Sequence, residues 1–311
     1  MTSTIIGIDI GGTKSAVVEG TFDAQILQRR PFATPASQPF DAATAWMNAE
    51  IDQVLADARA AGRAPAALSV SVGGPLDIKR GILTAPEHLP NWHGADLKGW
   101  LEARYGLPAY IEHDGNSGAL AEYHFGAGQG ARILIFLTFG TGLGAGIMID
   151  GKVLYGVTDL AGEVGHMRIA PDGPTSHNKS GSWEAYASGV GLVHLARMRQ
   201  PRRWPEPLTT RAIVSAALEG DPDALALVRE AGTWLGRGLA ALVDILNPDR
   251  IVVGTLGVVL GDLILEPARA AMRAEALALS AAACQVLPAG LGARLQDVQA
   301  LMGAIDRHPR G

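Results

Sequence analysis

The hydrophobic residues of this chain follow two rhythms. Residues 5–20, IIGIDIGGTKSAVVEG, and 133–151, ILIFLTFGTGLGAGIMIDG, each enter on a run of Ile, Val, Leu or Phe, break at a Gly-Gly-Thr or Gly-Thr-Gly turn, and leave on a second apolar run ending in glycine. Each predicts strand, tight loop, strand, and the recurrence reads as an internal duplication. Elsewhere the spacing is helical. Trp46, Ile51, Val54, Leu55 and Ala58 predict a helix opened by Asp41 and closed by Gly62. Asp221-Pro222 starts a long helix running to Leu246, since proline is tolerated in a first turn. Strands are predicted at 67–72, before the turn Gly-Gly-Pro, at 109–112, stopping at His113-Asp114, and at 250–253, ending in Gly254. Asn116 is expected to cap the helix after that Asp114. Strands alternating with helices mean α/β. The domain break is expected near residue 116. One domain then holds 1–116 plus about 291–311, where a helix around 296–305 returns, and the other holds 117–290.

Composition narrows the function. A 311-residue chain, 48% hydrophobic and 18% charged, is globular and suits about two domains. The net charge is −5, and the densest basic stretch, 197–203, reads as solvated surface, so nucleic acid and anionic membrane are poor partners. The single cysteine, Cys284, permits no intramolecular disulfide and no thiolate metal cluster, which favours a reducing, cytoplasmic setting. The N-terminal MTSTIIGIDIGG lacks the features of a signal peptide, and no stretch approaches ~20 uninterrupted apolar residues. A soluble, unexported protein is expected.

The glycine turns carry the first candidate chemistry. A loop approaching a polyphosphate needs glycine, because a Cβ would block the N–H groups aimed at the anion; Gly11, Gly12, Gly140, Gly142 and Gly144 meet that need. There is no G-x-x-x-x-G-K-[ST], and a dinucleotide fingerprint would open a helix, whereas both loops lead into strands. One such hairpin alone is compatible with an ordinary turn, and Asp9 with a turn-starting aspartate. Taken together, D-x-G-G-T-K (Asp9 to Lys14) resembles the first phosphate loop of the actin-like ATPase and sugar kinase superfamily, and F-G-T-G-L-G-A-G, from Phe139, the second. The resemblance implies two lobes gripping ATP across a cleft. It puts Asp9 near Mg²⁺, and Thr13, Thr141 and the glycine amides on phosphate oxygens, with Lys14 and Thr138 in the same loops.

The segment E-H-D-G-N-S-G-A-L-A-E-Y-H-F-G-A-G, 112–128, extends the likeness, as do G-x-x-D-L-A-G-E-V-G-H-M, 156–167, and W-E-A-Y-A-S-G, 183–189. In that order they resemble the ROK family of bacterial sugar kinases and repressors over nearly the whole chain. The implied fold is a two-lobed actin-like ATPase (ribonuclease H-like) α/β fold with duplicated phosphate-loop hairpins. The implied activity is ATP-dependent phosphorylation of a hexose, glucose-like first, by a homodimer or larger homo-oligomer. Asp114 becomes the base for the 6-hydroxyl, and Glu163, His166 and Glu184 become ligands of the sugar hydroxyls.

Four departures from the family pattern bear on this. His113 stands where Asn is usual. His88 and Asn91 share the place of another sugar-contacting Asn, and either can take it. The adenosine turn keeps two glycines, Gly254 and Gly257. The three cysteines that bind a structural zinc in the family become Thr175, His177 and Ser182, so a zinc-free loop held by hydrogen bonds from these three is expected. The alternatives are a catalytically idle sugar sensor, a kinase for an N-acetylhexosamine or fructose, and a repressor. The last is disfavoured by an acidic chain that begins on the first phosphate-loop strand.

Overall fold

A computed structural model describes residues 2–309. In chain order it runs β1 (Ser3–Ile10), β2 (Lys14–Gly20), β3 (Ile26–Ala33), α1 (Phe40–Ala60), β4 (Ala64–Val72), β5 (Leu76–Asp77), β6 (Ile82–Leu83), α2 (Leu97–Tyr105), β7 (Ala109–His113) and α3 (Asp114–Phe125). It continues with β8 (Ile133–Leu137), β9 (Ala145–Ile149), β10 (Lys152–Val153), β11 (Thr175–Ser176), β12 (Lys179–Ser180), α4 (Trp183–Tyr186), α5 (Gly189–Arg199), α6 (Thr210–Leu218) and α7 (Pro222–Leu246). Last come β13 (Arg250–Val253), α8 (Leu256–Leu260), α9 (Asp262–Glu275), α10 (Ala278–Ala283), β14 (Gln285–Pro288) and α11 (Leu295–Arg307). The chain forms two compact units, one of residues 1–121, 155–160 and 293–311, the other of 122–154 and 161–292.

Each unit is built on a five-stranded sheet, ordered β3-β2-β1-β4-β7 in the first and β10-β9-β8-β13-β14 in the second. The directions agree position by position. The first two neighbour pairs are antiparallel, and the next two, β1/β4 and β4/β7 or β8/β13 and β13/β14, are parallel. The duplication legible in the two glycine hairpins therefore extends to the whole sheet.

In the first unit β1 is buried on both faces, as a strand covered by helices must be. Ile6, Ile8 and Ile10 face Met47, Ile51 and Val54 of α1. Met47 is buried and Trp46 is 62% exposed, so the core position given to Trp46 from its spacing belongs to its neighbour. On the other face α11 lies almost against the backbone: a Cβ on Gly7 would stand 2.9 Å from the main chain of Ala300, and one on Gly303 would stand 3.0 Å from Tyr110 O. Helix α7 opens as expected, with the Asp221 carboxylate capping Ala224 N–H and Pro222 in the first turn. Helix α3 begins at Asp114 itself, so Asn116 lies inside it and does not cap it.

Candidate active site

In the first unit the parallel strands β1, β4 and β7 end side by side, where open α/β sheets place their ligands. Asp9 is in register with Ser71, and Ser71 with Glu112; the next row is Ile10, Val72 and His113. Beyond β1 the loop turns on a Gly11 N–H to Lys14 O bond of 3.2 Å. The N–H groups of Gly12 and Thr13 donate to no protein acceptor among the described residues, and the exposed Lys14 ammonium has no ion-pair partner there. Two amides and a cation are thus left for an anion. The glycines also have a steric reason that the sequence does not reveal: a Cβ on Gly12 would stand 2.7 Å from His88 Cβ, and one on Gly11 would stand 2.7 Å from Lys14 O.

Asp114 lies just past β7 with its side chain 44% exposed. Its Oδ1 accepts from Gly115 N–H at 2.7 Å and lies 3.4 Å from His113 Nδ1, while its carbonyl accepts from Gln299 Nε2 of α11 at 3.1 Å. His113 Nδ1 also accepts from Gly115 N–H at 3.3 Å. Gly74 faces that ring, since a Cβ there would be 2.8 Å from His113 Cδ2. The Asp9 carboxyl is pushed up to about 7, chiefly by burial and then by the Asp114 and Asp297 carboxylates, with Arg29 opposing. A mostly buried carboxyl crowded by two others is a fitting place for a cation. Of the two remaining candidates, Asn91 spends its amide N–H on Ser37 O at 2.7 Å, whereas His88 lies exposed against Gly12.

The second unit repeats the arrangement at the ends of β8 and β13. Thr138 N–H donates to Gly144 O, and Thr138 Oγ1 accepts from Gly144 N–H, closing the loop across its base. Gly140 O and Thr141 O accept from Gly189 and Val190 N–H at the start of α5. The N–H groups of Thr141 and Gly142 keep no protein acceptor among the described residues, matching Gly12 and Thr13 of the first loop. The adenosine-turn candidates sit beside this loop, with Gly254 N–H on Leu137 O and Leu256 N–H on Phe139 O. Gly254 packs on Phe136 and Gly257 on Val253, both too closely for a Cβ. Between them Thr255 holds φ +36°, a region that favours glycine.

The loop carrying Glu163, His166 and Glu184 has an ordered core. Residues 175–180 form the hairpin β11/β12, and its two turn residues, His177 and Asn178, have φ +52° and +55°, as a type I′ turn requires. This places the His177 ring on the His166 ring, with centroids 3.7 Å apart, and His177 Nε2 3.0 Å from Glu184 Oε1. Glu184 Oε1 also accepts from Ser176 Oγ, and its Oε2 accepts from Leu143 N–H at 2.9 Å. Gly142 leaves room for that carboxylate: a Cβ there would stand 2.6 Å from Glu184 Oε2. Glu163 Oε2 lies 3.8 Å from His166 Nε2.

Of the three expected loop holders, His177 acts through its side chain and Thr175 through backbone pairing with Ser180. The Ser182 hydroxyl is buried without a partner among the described residues. Its work falls to Ser176, to Lys179 Nζ on His166 O (2.6 Å) and to Ser180 Oγ on Gly173 O (3.0 Å). Sequence reasoning passed over these three because each is an ordinary polar loop residue, and only the hairpin register aims them inward. The zinc implied by the resemblance does not suit this loop, which offers two imidazoles where a closed structural site takes four Cys or His ligands.

The sequence profile of the ROK family matches residues 5–307. The chain is 35% identical over 280 residues to the glucokinase of Streptomyces coelicolor, covering 85% of each. It superposes with a TM-score of 0.81 on the ROK family glucokinase of Streptomyces griseus, solved in complex with glucose and AMPPNP, at 33% identity over 96% of this chain and 97% of that one. The xylose repressor of Bacillus subtilis is 28% identical over 226 residues, 72% of this chain and 57% of the repressor.

Proposed function

The chain belongs to the ROK family, has its actin-like ATPase fold and is an ATP:sugar phosphotransferase; we propose that it moves the γ-phosphoryl group of ATP to the 6-hydroxyl of a glucose-like hexose. The observation that carries this reading is the pair of strand-turn-strand loops, each with two unspent amides, together with the half-exposed Asp114 at the end of β7. The amides of Gly12, Thr13, Thr141 and Gly142, with Lys14, hold phosphate oxygens and meet the charge that develops on them. Asp114 takes the proton of the 6-hydroxyl as that oxygen bonds to phosphorus and the bond to ADP breaks. Glu163, His166, Glu184, His88 and His113 hold the sugar, since carboxylates and imidazoles can each accept or donate to vicinal hydroxyls. Mg²⁺, when bound beside Asp9, would neutralise phosphate charge. In this reading the loop holds no zinc, and the chain works in the cytoplasm as a homodimer. Exposed Ile245, Leu277 and Leu279 support the homodimer, and among the described residues no helix is long and apolar enough to cross a membrane.

A coupled assay of ADP release over hexoses and N-acetylhexosamines tests the reading. Asp114→Asn keeps the shape but cannot take the proton, so kcat should fall 10²-fold or more while sugar binding persists. A variant with over a tenth of wild-type kcat would remove Asp114 from the role. His113 and Thr255 favour one rival, a sugar sensor without turnover; sugar binding with no ADP release from any hexose would establish it.

A further inference from the structure

Behind Asp114 lies a residue that no motif assigns a task. Glu112, on β7, is fully buried and hydrogen-bonded through both carboxylate oxygens. Oε1 accepts from His113 N–H and from Asn116 Nδ2, each at 3.0 Å. Oε2 accepts from Tyr155 Oη at 3.0 Å and lies 3.5 Å from Arg307 Nη2, whose guanidinium also donates to Ile111 O at 2.8 Å. A buried carboxylate is costly unless its oxygens are met this fully. The partners come from four places in the chain: the next peptide, the first turn of α3, residue 155, and α11 about 195 residues on.

We infer that Glu112 is the positioning residue of the phosphoryl-transfer site, holding the His113–Asp114 backbone at the angle that aims the Asp114 carboxylate. On one side it grips the His113 amide and the turn that Asp114 opens. On the other it is anchored to Tyr155 and Arg307. Gln299 of α11 holds the Asp114 carbonyl from the same helix that supplies Arg307, so the reacting carboxylate projects from a backbone held just before His113 and again just after Asp114. Among the described residues the short bond to the Asp114 carboxylate comes from the neighbouring Gly115 amide, with His113 Nδ1 farther off at 3.4 Å, so its aim is set chiefly by the local main chain. Burial also pushes the Glu112 carboxyl up, with Arg307, Asn116, the His113 amide and Tyr155 opposing, so these partners are what favour its charged form. The inference rests on Asp114 as base, and misplacing a reacting group by about 1 Å costs on the order of 10²-fold.

Steady-state kinetics of the full chain, with amide hydrogen exchange at residues 113–115, test it. Glu112→Ala should lower kcat about 10- to 100-fold, with both KM values within about threefold of wild type, and should speed exchange of the His113 amide. Glu112→Gln keeps one acceptor for that amide and should recover kcat to within about fivefold. A wild-type kcat in the alanine variant, or a loss confined to KM, overturns the assignment. If the alanine variant does not fold, Tyr155→Phe decides: kcat lowered two- to fivefold at constant KM upholds it, and an unchanged kcat rejects it. Should the wild type turn over no sugar, the kinase reading fails, and the exchange of the His113 amide still decides whether Glu112 holds this backbone.

Discussion

Replacing His177 by alanine tests whether a hairpin and an imidazole hold the sugar loop. His177 and Glu184 are 10% and 14% exposed, and their contact is 3.0 Å. A hydrogen bond to a charged group at such a site is worth about 1.5–3 kcal/mol, and the ring stack on His166 about 0.5–1.5 more. Glu184 keeps Ser176 Oγ and Leu143 N–H, so it is not orphaned, and part of the loss falls on loop order rather than on the sugar. What reaches the sugar is about 1.4–2.8 kcal/mol, a 10- to 100-fold rise in sugar KM. The assay is ADP release with sugar varied at saturating Mg-ATP, where the KM for ATP should stay within about threefold. His177→Phe keeps the stack and drops the hydrogen bond, and should lie between wild type and alanine. Asn178→Gly, at φ +55°, should leave KM alone and raise the thermal midpoint. A sugar KM within twofold of wild type in His177→Ala would refute the reasoning. So would one zinc per chain, lost to EDTA together with activity, because the staple would then be a metal.

Three further outcomes are expected. Asp9 has a folded pKa near 7 against an ordinary 3.8, so its ionised form costs stability; the cost is absent below pH 3.8, grows to pH 7 and is full above it, at most about 4 kcal/mol. Without Mg²⁺, Asp9→Asn should therefore raise the thermal midpoint more at pH 8 than at pH 5, and an equal gain at both would reject the assigned cause. Gly12→Ala puts a Cβ 2.7 Å from His88 and must shift the first phosphate loop, so the KM for ATP should rise about tenfold in the same ADP assay; an unchanged value would mean that the loop yields freely. Thr255→Gly relieves a φ of +36° and should stabilise the chain by about 1 kcal/mol in denaturant unfolding, whereas a loss of stability would show that the threonine earns its strained place.

By itself the sequence determined whatever depends on neighbours in the chain. The two glycine hairpins, the strand ending at His113-Asp114, the Asp221-Pro222 helix start and the absence of a cysteine set in the sugar loop are local facts, each fixed by φ/ψ preference, alternation or residue chemistry over a few positions. It did not decide between Trp46 and Met47, because adjacent residues are only about 100° apart around a helix and the partner sheet chooses which is buried. Nor did it decide that Asn116 lies within α3, where Glu112 receives its amide, rather than at the cap. Above all it was silent on Gln299, Tyr155 and Arg307, which carry no motif and act on the Asp114 backbone from far along the chain. The roles of Gln299 and Arg307 exist only once α11 is laid on β1, β4 and β7. That contact is set by the close approach at Gly7 and Gly303, a requirement of shape between distant segments that no local pattern encodes.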